Sequence, residues 1–333
     1  MLTAGLGAFL YWRRGQRSKR ELSWFLVTRG LWLIVLELTV MQLAYNFDIG
    51  ASYPIFLLVL WVLGACMIAL AALVWLPLPA LLGLSVAMIV LHHLADGVTA
   101  RAFGAWAPAW NLLHQVGAFP LAGRIFIAAY PLLPWIAVMA LGFCLGPLFL
   151  DRPERRQRVL ITTGASIAVG FILLRMINAY GDPSPWTPQA TSAFTGLSFL
   201  NTTKYPPSLA FLLMTLGPGL LLLGVFERFS FARSNPLIVF GRVPLFYFVL
   251  HFYAAHAVAV MLALITYGSA AWGFMFQPVP SMGGPAKAFP PDFGYDLWVT
   301  YVAWISIVAA LYPLCSWFAR YKERHQSPWL SYL

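Results

Sequence analysis

The chain has 333 residues and a formal net charge of +10, yet only 10% of its residues are charged and 61% belong to the hydrophobic set. Soluble domains are nearer half apolar and a quarter charged, so a mean hydropathy of +0.77 excludes an ordinary soluble domain and a disordered chain alike. Nucleic acid is not expected as a partner, because the positive charges flank apolar runs and do not form one basic face.

Divided into stretches of about 20 apolar residues, the number that crosses a bilayer core, the sequence predicts an all-α fold. It is a polytopic membrane helix bundle in a single domain, with eight complete spans and a partial apolar segment at the start. Residues 1–12 are apolar but too short to span, and a basic cluster follows them. That order reads either as the inner end of a span whose beginning precedes Met1 or as a short re-entrant helix. The first complete span covers 22–45 and the second 54–76; after the turn at Pro77 and Pro79 a third covers 78–98. A mixed loop, 99–124, leads to the fourth span at 125–150. A charged turn then precedes the fifth at 159–178. A Pro-rich loop, 179–206, precedes the sixth at 207–226. The seventh, 236–265, is expected to kink or break near Gly241 and Pro244. A Gly- and Pro-rich loop, 268–295, precedes the eighth at 296–318.

Fourteen of the 21 Lys and Arg residues fall in four clusters. These are Arg13 to Arg20, Arg152 to Arg158, Arg228 with Arg233, and Arg320 to Arg324. An even number of predicted spans separates each cluster from the next, and basic residues in short loops stay on the cytoplasmic side. The clusters therefore predict a multi-pass protein of a bacterial cytoplasmic (inner) membrane, with a cytoplasmic C-terminus. Cys66, Cys144 and Cys315 lie inside apolar runs without ligand spacing, so they read as small core residues and no metal is expected.

Polar residues inside spans are costly and therefore informative. Glu37 lies about 22 Å along the first span at 1.5 Å per residue. It reads as a functional acid or as the partner of an inward-facing Arg. His92, His93 and Asp96 sit at the outer end of the third span. His92 and Asp96 are four apart and share a helical face, a pairing that suits a general base; two interfacial histidines bound to water and headgroups fit the same pattern. Arg175 at the end of the fifth span reads as a snorkelling or ligand-binding cation. Tyr247 and His251 are four apart in the seventh span. Together with Gln42, Asn46, Asp48, His114, Asn178 and Asp182, these residues give the outer face a set of acids, imidazoles and amides that suits a polar, sugar-like substrate.

Three stretches carry a family resemblance: RSKRELSWFLVTRGLWLIVLEL (17–38), FLNTTKYPPSLAFLLMTLGPG (199–219) and FGRVPLFYFVLH (240–251). They resemble bacterial membrane proteins of the heparan-α-glucosaminide N-acetyltransferase-like family, related to the membrane acyltransferases. The resemblance implies transfer of an acetyl group from cytoplasmic acetyl-CoA to a glycan or amino sugar on the other side. It further implies membrane lipids and a polar glycan acceptor as partners. The candidate catalytic residues are then His92, His93, Asp96 and Glu37, the substrate-binding candidates Asn201, Lys204, Tyr205 and Arg175, and the coenzyme-binding candidates Arg242 and His251. The family's own transfer histidine falls in a region expected before Met1, which leaves His92 or His93 to take that part or the chain inactive. The competing reading is a membrane transporter or binding protein for a glycan or lipid precursor.

Overall fold

A computed structural model describes residues 1–47, 50, 53–276, 289–325, 327 and 330. Asp48, Lys287 and residues 277–288 of the last Pro-rich loop lie outside the described residues, as does the side chain of Asn46. The chain is 73% helical. Among the described residues seven helical segments are long and apolar enough to cross a membrane. Large apolar side chains such as Trp24, Ile177, Ile265 and Trp304 stand exposed on them, as expected where lipid and not water is the solvent. These are the features of a membrane protein.

In chain order, α1 is Leu2–Arg14 and α2 is Lys19–Leu36. A reciprocal pair starts α2, in which the Glu21 carboxylate accepts the Ser18 N–H at 2.7 Å and Ser18 Oγ accepts the Glu21 N–H at 3.2 Å. This capping box satisfies two amides that have no partner within the helix. A π-helical turn, Glu37–Met41, continues into α3, Gln42–Asn46. Strand β1, Ile55–Leu57, precedes α4, Val59–Leu73, and α5 is Leu78–Leu91. A 3₁₀ turn, His92–Ala95, ends the third predicted span, and a second 3₁₀ segment, Ala100–Trp106, leads into α6, Ala107–Leu113. Strands β2, Gly117–Leu121, and β3, Arg124–Ala128, follow, and the three strands pair in the order β1-β3-β2. Helix α7 is Leu132–Cys144, α8 is Pro153–Ile177, α9 is Ser192–Leu200 and α10 is Leu209–Phe226. Helix α11 is Pro236–Arg242, α12 is Pro244–Tyr267, α13 is Ala271–Met275 and α14 is Leu297–Arg324. Proline in the first turn of α8, α11 and α12 costs no hydrogen bond, because that amide has no helical partner.

Two differences from the sequence reading stand out. The second predicted span is a strand followed by a 15-residue helix, shorter than a full crossing, because the start of its apolar run pairs in the sheet. The sheet itself qualifies the all-α expectation. The seventh span does break where expected, at Val243 between α11 and α12.

The chain divides into two compact units. In the first (1–34, 57–119 and 127–230) α7 is central, with Ala137, Met139, Ala140 and Phe143 fully buried against α1, α4 and α5. Backbones approach closely where glycine leaves room. A Cβ on Gly5 would strike the Met139 carbonyl, and one on Gly142 would strike that of Leu2. Helices α8 and α10 meet in the same way at Gly164 and Gly217, the small-residue packing usual between membrane helices. Between the start of α8 and the end of α10, Arg156 makes a bidentate pair with Glu227, its Nε donating at 2.8 Å. In the second unit (35–56, 120–126 and 231–333) α12 packs on α3 and α14. Val239, Val243, Cys315, Phe318 and Ala319 form the core where α11 meets α14.

Candidate functional site

The site lies within the first unit, where α5 ends. A 3₁₀ turn has three residues per turn, so positions three apart eclipse one another. His93, not His92, is therefore placed against Asp96, and its Nδ1–H donates to Asp96 Oδ2 at 2.6 Å. The expected His92–Asp96 pair presumed α-helical spacing, which the chain abandons at His92. His93 Nε2 accepts the main-chain N–H of Leu209 at 2.9 Å. Accepting there fixes the proton on Nδ1, so both ring nitrogens of His93 are committed.

The partner of Nε2 is the first residue of α10, and the turn before it is held by a second carboxylate. Ser208 caps α10 by accepting the Phe211 N–H at 3.0 Å, and its own hydroxyl donates to Asp182 Oδ2 at 2.7 Å. Asp182 also accepts from the Thr203 hydroxyl and N–H, both at 2.9 Å, and from the Ser184 N–H at 2.9 Å. A fully buried serine thus links the loop before α10 to the helix start.

The second imidazole on Asp96 comes from the end of α6. His114 Nε2–H donates to Asp96 Oδ1 at 3.0 Å, so each carboxylate oxygen carries one imidazole. His114 Nδ1 is buried and has no hydrogen-bond partner among the described residues. With the proton on Nε2, Nδ1 presents a lone pair, which is the arrangement of a base oriented by a carboxylate. The Trp110 ring lies 5.1 Å from His114. Asp96, whose side chain is 33% exposed, is the open edge of the cluster, since His114 itself is 2% exposed. The neighbouring Gln115 fixes this corner by accepting the Ala100 N–H at 2.7 Å. The His92 ring packs against His93, tilted by 36° with centroids 4.1 Å apart, and its two nitrogens face the carbonyls of Ile89 (2.9 Å) and Pro207 (3.2 Å). A neutral ring can donate to only one of them.

The remaining candidates fall elsewhere. Arg175, 2% exposed, spends its guanidinium on the carbonyls of Ser184, Ser198, Phe199 and Asn201, most of them at the C-terminal end of α9. That helix end carries partial negative charge, so the arginine anchors the loop. Asn201 caps the end of α9 with an exposed side chain. Lys204 places its ammonium 5.0 Å from the Tyr205 ring centroid, and Tyr205 shares a hydroxyl contact of 3.1 Å with Tyr130. Burial pushes the Tyr205 phenol up, but Tyr130 and Lys204 outweigh it and hold the phenol below its ordinary value of 10.0. Glu37 belongs to the second unit, where it is fully buried in the π turn and accepts from Tyr45 Oη–H at 2.8 Å. Arg242 ends α11 in an ion pair with Glu323, and His251 lies in α12.

His114 is the residue that spacing arguments did not single out. It lies 18 positions from Asp96, and no local period links them. Among the described residues no group of three or more His, Cys, Asp or Glu is arranged to hold a metal ion. No protein-family model, curated protein or solved structure matches the chain.

Proposed function

We propose that the chain is an integral-membrane acyltransferase in which Asp96 and His114 handle the proton. The observation that carries this reading is the unpartnered, buried Nδ1 of His114 behind an Nε2–H fixed by Asp96. In the reaction, His114 Nδ1 takes the proton of an acceptor hydroxyl or amine as that group attacks the thioester carbonyl of acetyl-CoA. The new C–O or C–N bond forms, the C–S bond breaks, and the proton passes from the imidazole to the departing thiolate. Asp96 stabilises the imidazolium between these two transfers. Acetyl-CoA as donor and a glycan or amino sugar as acceptor come from the resemblance of residues 17–38, 199–219 and 240–251. The spacing of the basic clusters supports a donor on the cytoplasmic side, with Lys204 and Tyr205 on the acceptor side.

The test is transfer of radiolabelled acetyl from acetyl-CoA by the full chain in membrane vesicles, comparing His114→Gln with the unaltered protein. Gln keeps a donor towards Asp96 but offers no ring nitrogen to a substrate. The rate is expected to fall about 10²- to 10⁴-fold, the contribution of a positioned base. An unchanged rate would remove His114 from the chemistry. Accumulation of unmodified glycan inside the vesicles, without transfer, would favour the transporter reading instead.

A further inference from the structure

The second unit contains a cavity of about 300 Å³ between α12 and α14. Both helices belong to segments long and apolar enough to cross a membrane. The cavity walls are almost wholly apolar, including Leu262, Trp304 and Ile307, and three polar side chains, Tyr247, His251 and Thr300, interrupt them on the way to Tyr295 at the far end. Tyr295 is already engaged, its hydroxyl donating to the Leu262 carbonyl at 2.7 Å. The other end is different. His251 Nδ1–H donates to the Tyr247 carbonyl at 3.2 Å, which leaves Nε2 as an acceptor. Neither that nitrogen nor the Tyr247 hydroxyl has a hydrogen-bond partner among the described residues. The two rings stack at 5.3 Å with 14° between their planes, so they form one polar corner.

Unpaired polar groups between membrane helices are expensive, because lipid tails offer no hydrogen bonds. Tyr247 and His251 are about 5 and 10 Å from the Pro244 end of α12, and the cavity runs about 22 Å from Tyr247 to Leu262 at 1.5 Å per residue. A ligand that satisfies both ends has a hydroxyl-bearing head near one membrane face and a hydrocarbon tail directed inward. The cavity contains no Lys or Arg among its lining residues, so it offers nothing to a coenzyme phosphate. A volume of about 300 Å³ is at the lower limit of ligand pockets and suits one chain better than two.

We propose that the α12–α14 cavity binds a single-chain membrane lipid with a hydroxylated, uncharged head, of the monoacylglycerol type. The head hydroxyl donates to His251 Nε2 and accepts from Tyr247, and the tail lies along Val258, Leu262, Ala303 and Ile307. This assigns His251 to a lipid and not to the donor coenzyme, and it does not depend on the acyl-transfer reading.

The probe is a monooleoylglycerol carrying a diazirine in its chain, irradiated with the detergent-solubilised full chain. Label is expected to concentrate in α12 and α14, to be competed by unlabelled monooleoylglycerol, and to drop at least about tenfold in Ala303→Trp, which fills the cavity. The double change Tyr247→Phe with His251→Phe removes two hydrogen bonds and should weaken retention by about tenfold. Label spread over all spans in proportion to their exposed area, or unaffected by Ala303→Trp, would overturn the proposal. So would displacement by long-chain acyl-CoA but not by monooleoylglycerol.

Discussion

Asp96 accepts an N–H on each oxygen, and this makes it the residue least tolerant of an isosteric change. In Asp96→Asn the amide nitrogen faces an imidazole that already presents a proton, so either His93 or His114 must change tautomer. His93 is tied by Leu209, which directs the change to His114. A tautomer-resolved ¹⁵N spectrum should then show the His114 proton moved to Nδ1, with transfer lost as in His114→Gln. Nearby, the depressed Tyr205 phenol gives a separate test. The alkaline absorbance step that vanishes in Tyr205→Phe should lie below that of an ordinary tyrosine, and Lys204→Gln should move it upward, because the ammonium no longer favours the phenolate. The sequence placed the acid and the histidines in one neighbourhood from their positions at a span end. It paired His92 with Asp96 where the fold pairs His93, since that choice depends on whether the last turn has 3.6 or 3.0 residues. Nor could it place His114, which reaches Asp96 only through the fold of residues 97–113.

Helix contacts in the first unit depend on absent side chains as much as on present ones. Gly5 and Gly142 let α1 and α7 touch backbone to backbone. Gly142→Ala should therefore destabilise the solubilised protein by about 1–3 kcal/mol, the usual cost of overpacking. Gly83→Ala, where nothing lies within 4 Å of the added carbon, is the control and should leave Tm unchanged or raised. Most of the long helices were legible because length and hydropathy alone define a crossing segment. The strand Ile55–Leu57 was not, because a short apolar run looks the same as strand or helix until its pairing partner is known. The break between α11 and α12 was legible from Gly241 and Pro244, since proline constrains its own φ and the residue before it.

For the molecule as a whole, the spacing of the basic clusters makes a prediction about sides. In a background lacking Cys144, Arg155→Cys should react with a membrane-impermeant thiol reagent from the cytoplasmic side and Lys204→Cys only from the opposite side. Cys66 and Cys315 are buried and should remain silent. Both positions reacting from one side would overturn the orientation. Charge clusters can carry this much because they report on insertion, which is a property of the whole chain. They say nothing about which polar residues meet, so the site depends on the fold and not on the charge pattern.

The π turn at Glu37–Met41 works as a phase setting. It gives the run from Lys19 to Asn46 one residue more than regular α-helix would place there, which advances everything after it by about 100° around the axis. At that angle Gln42 clasps Phe56, donating to its carbonyl at 2.7 Å and accepting its N–H at 3.1 Å, while Tyr45 returns to Glu37. Removing one residue, for example the exposed Thr39, would keep the run helical and apolar. It would nonetheless turn both side chains away from their partners in a single step.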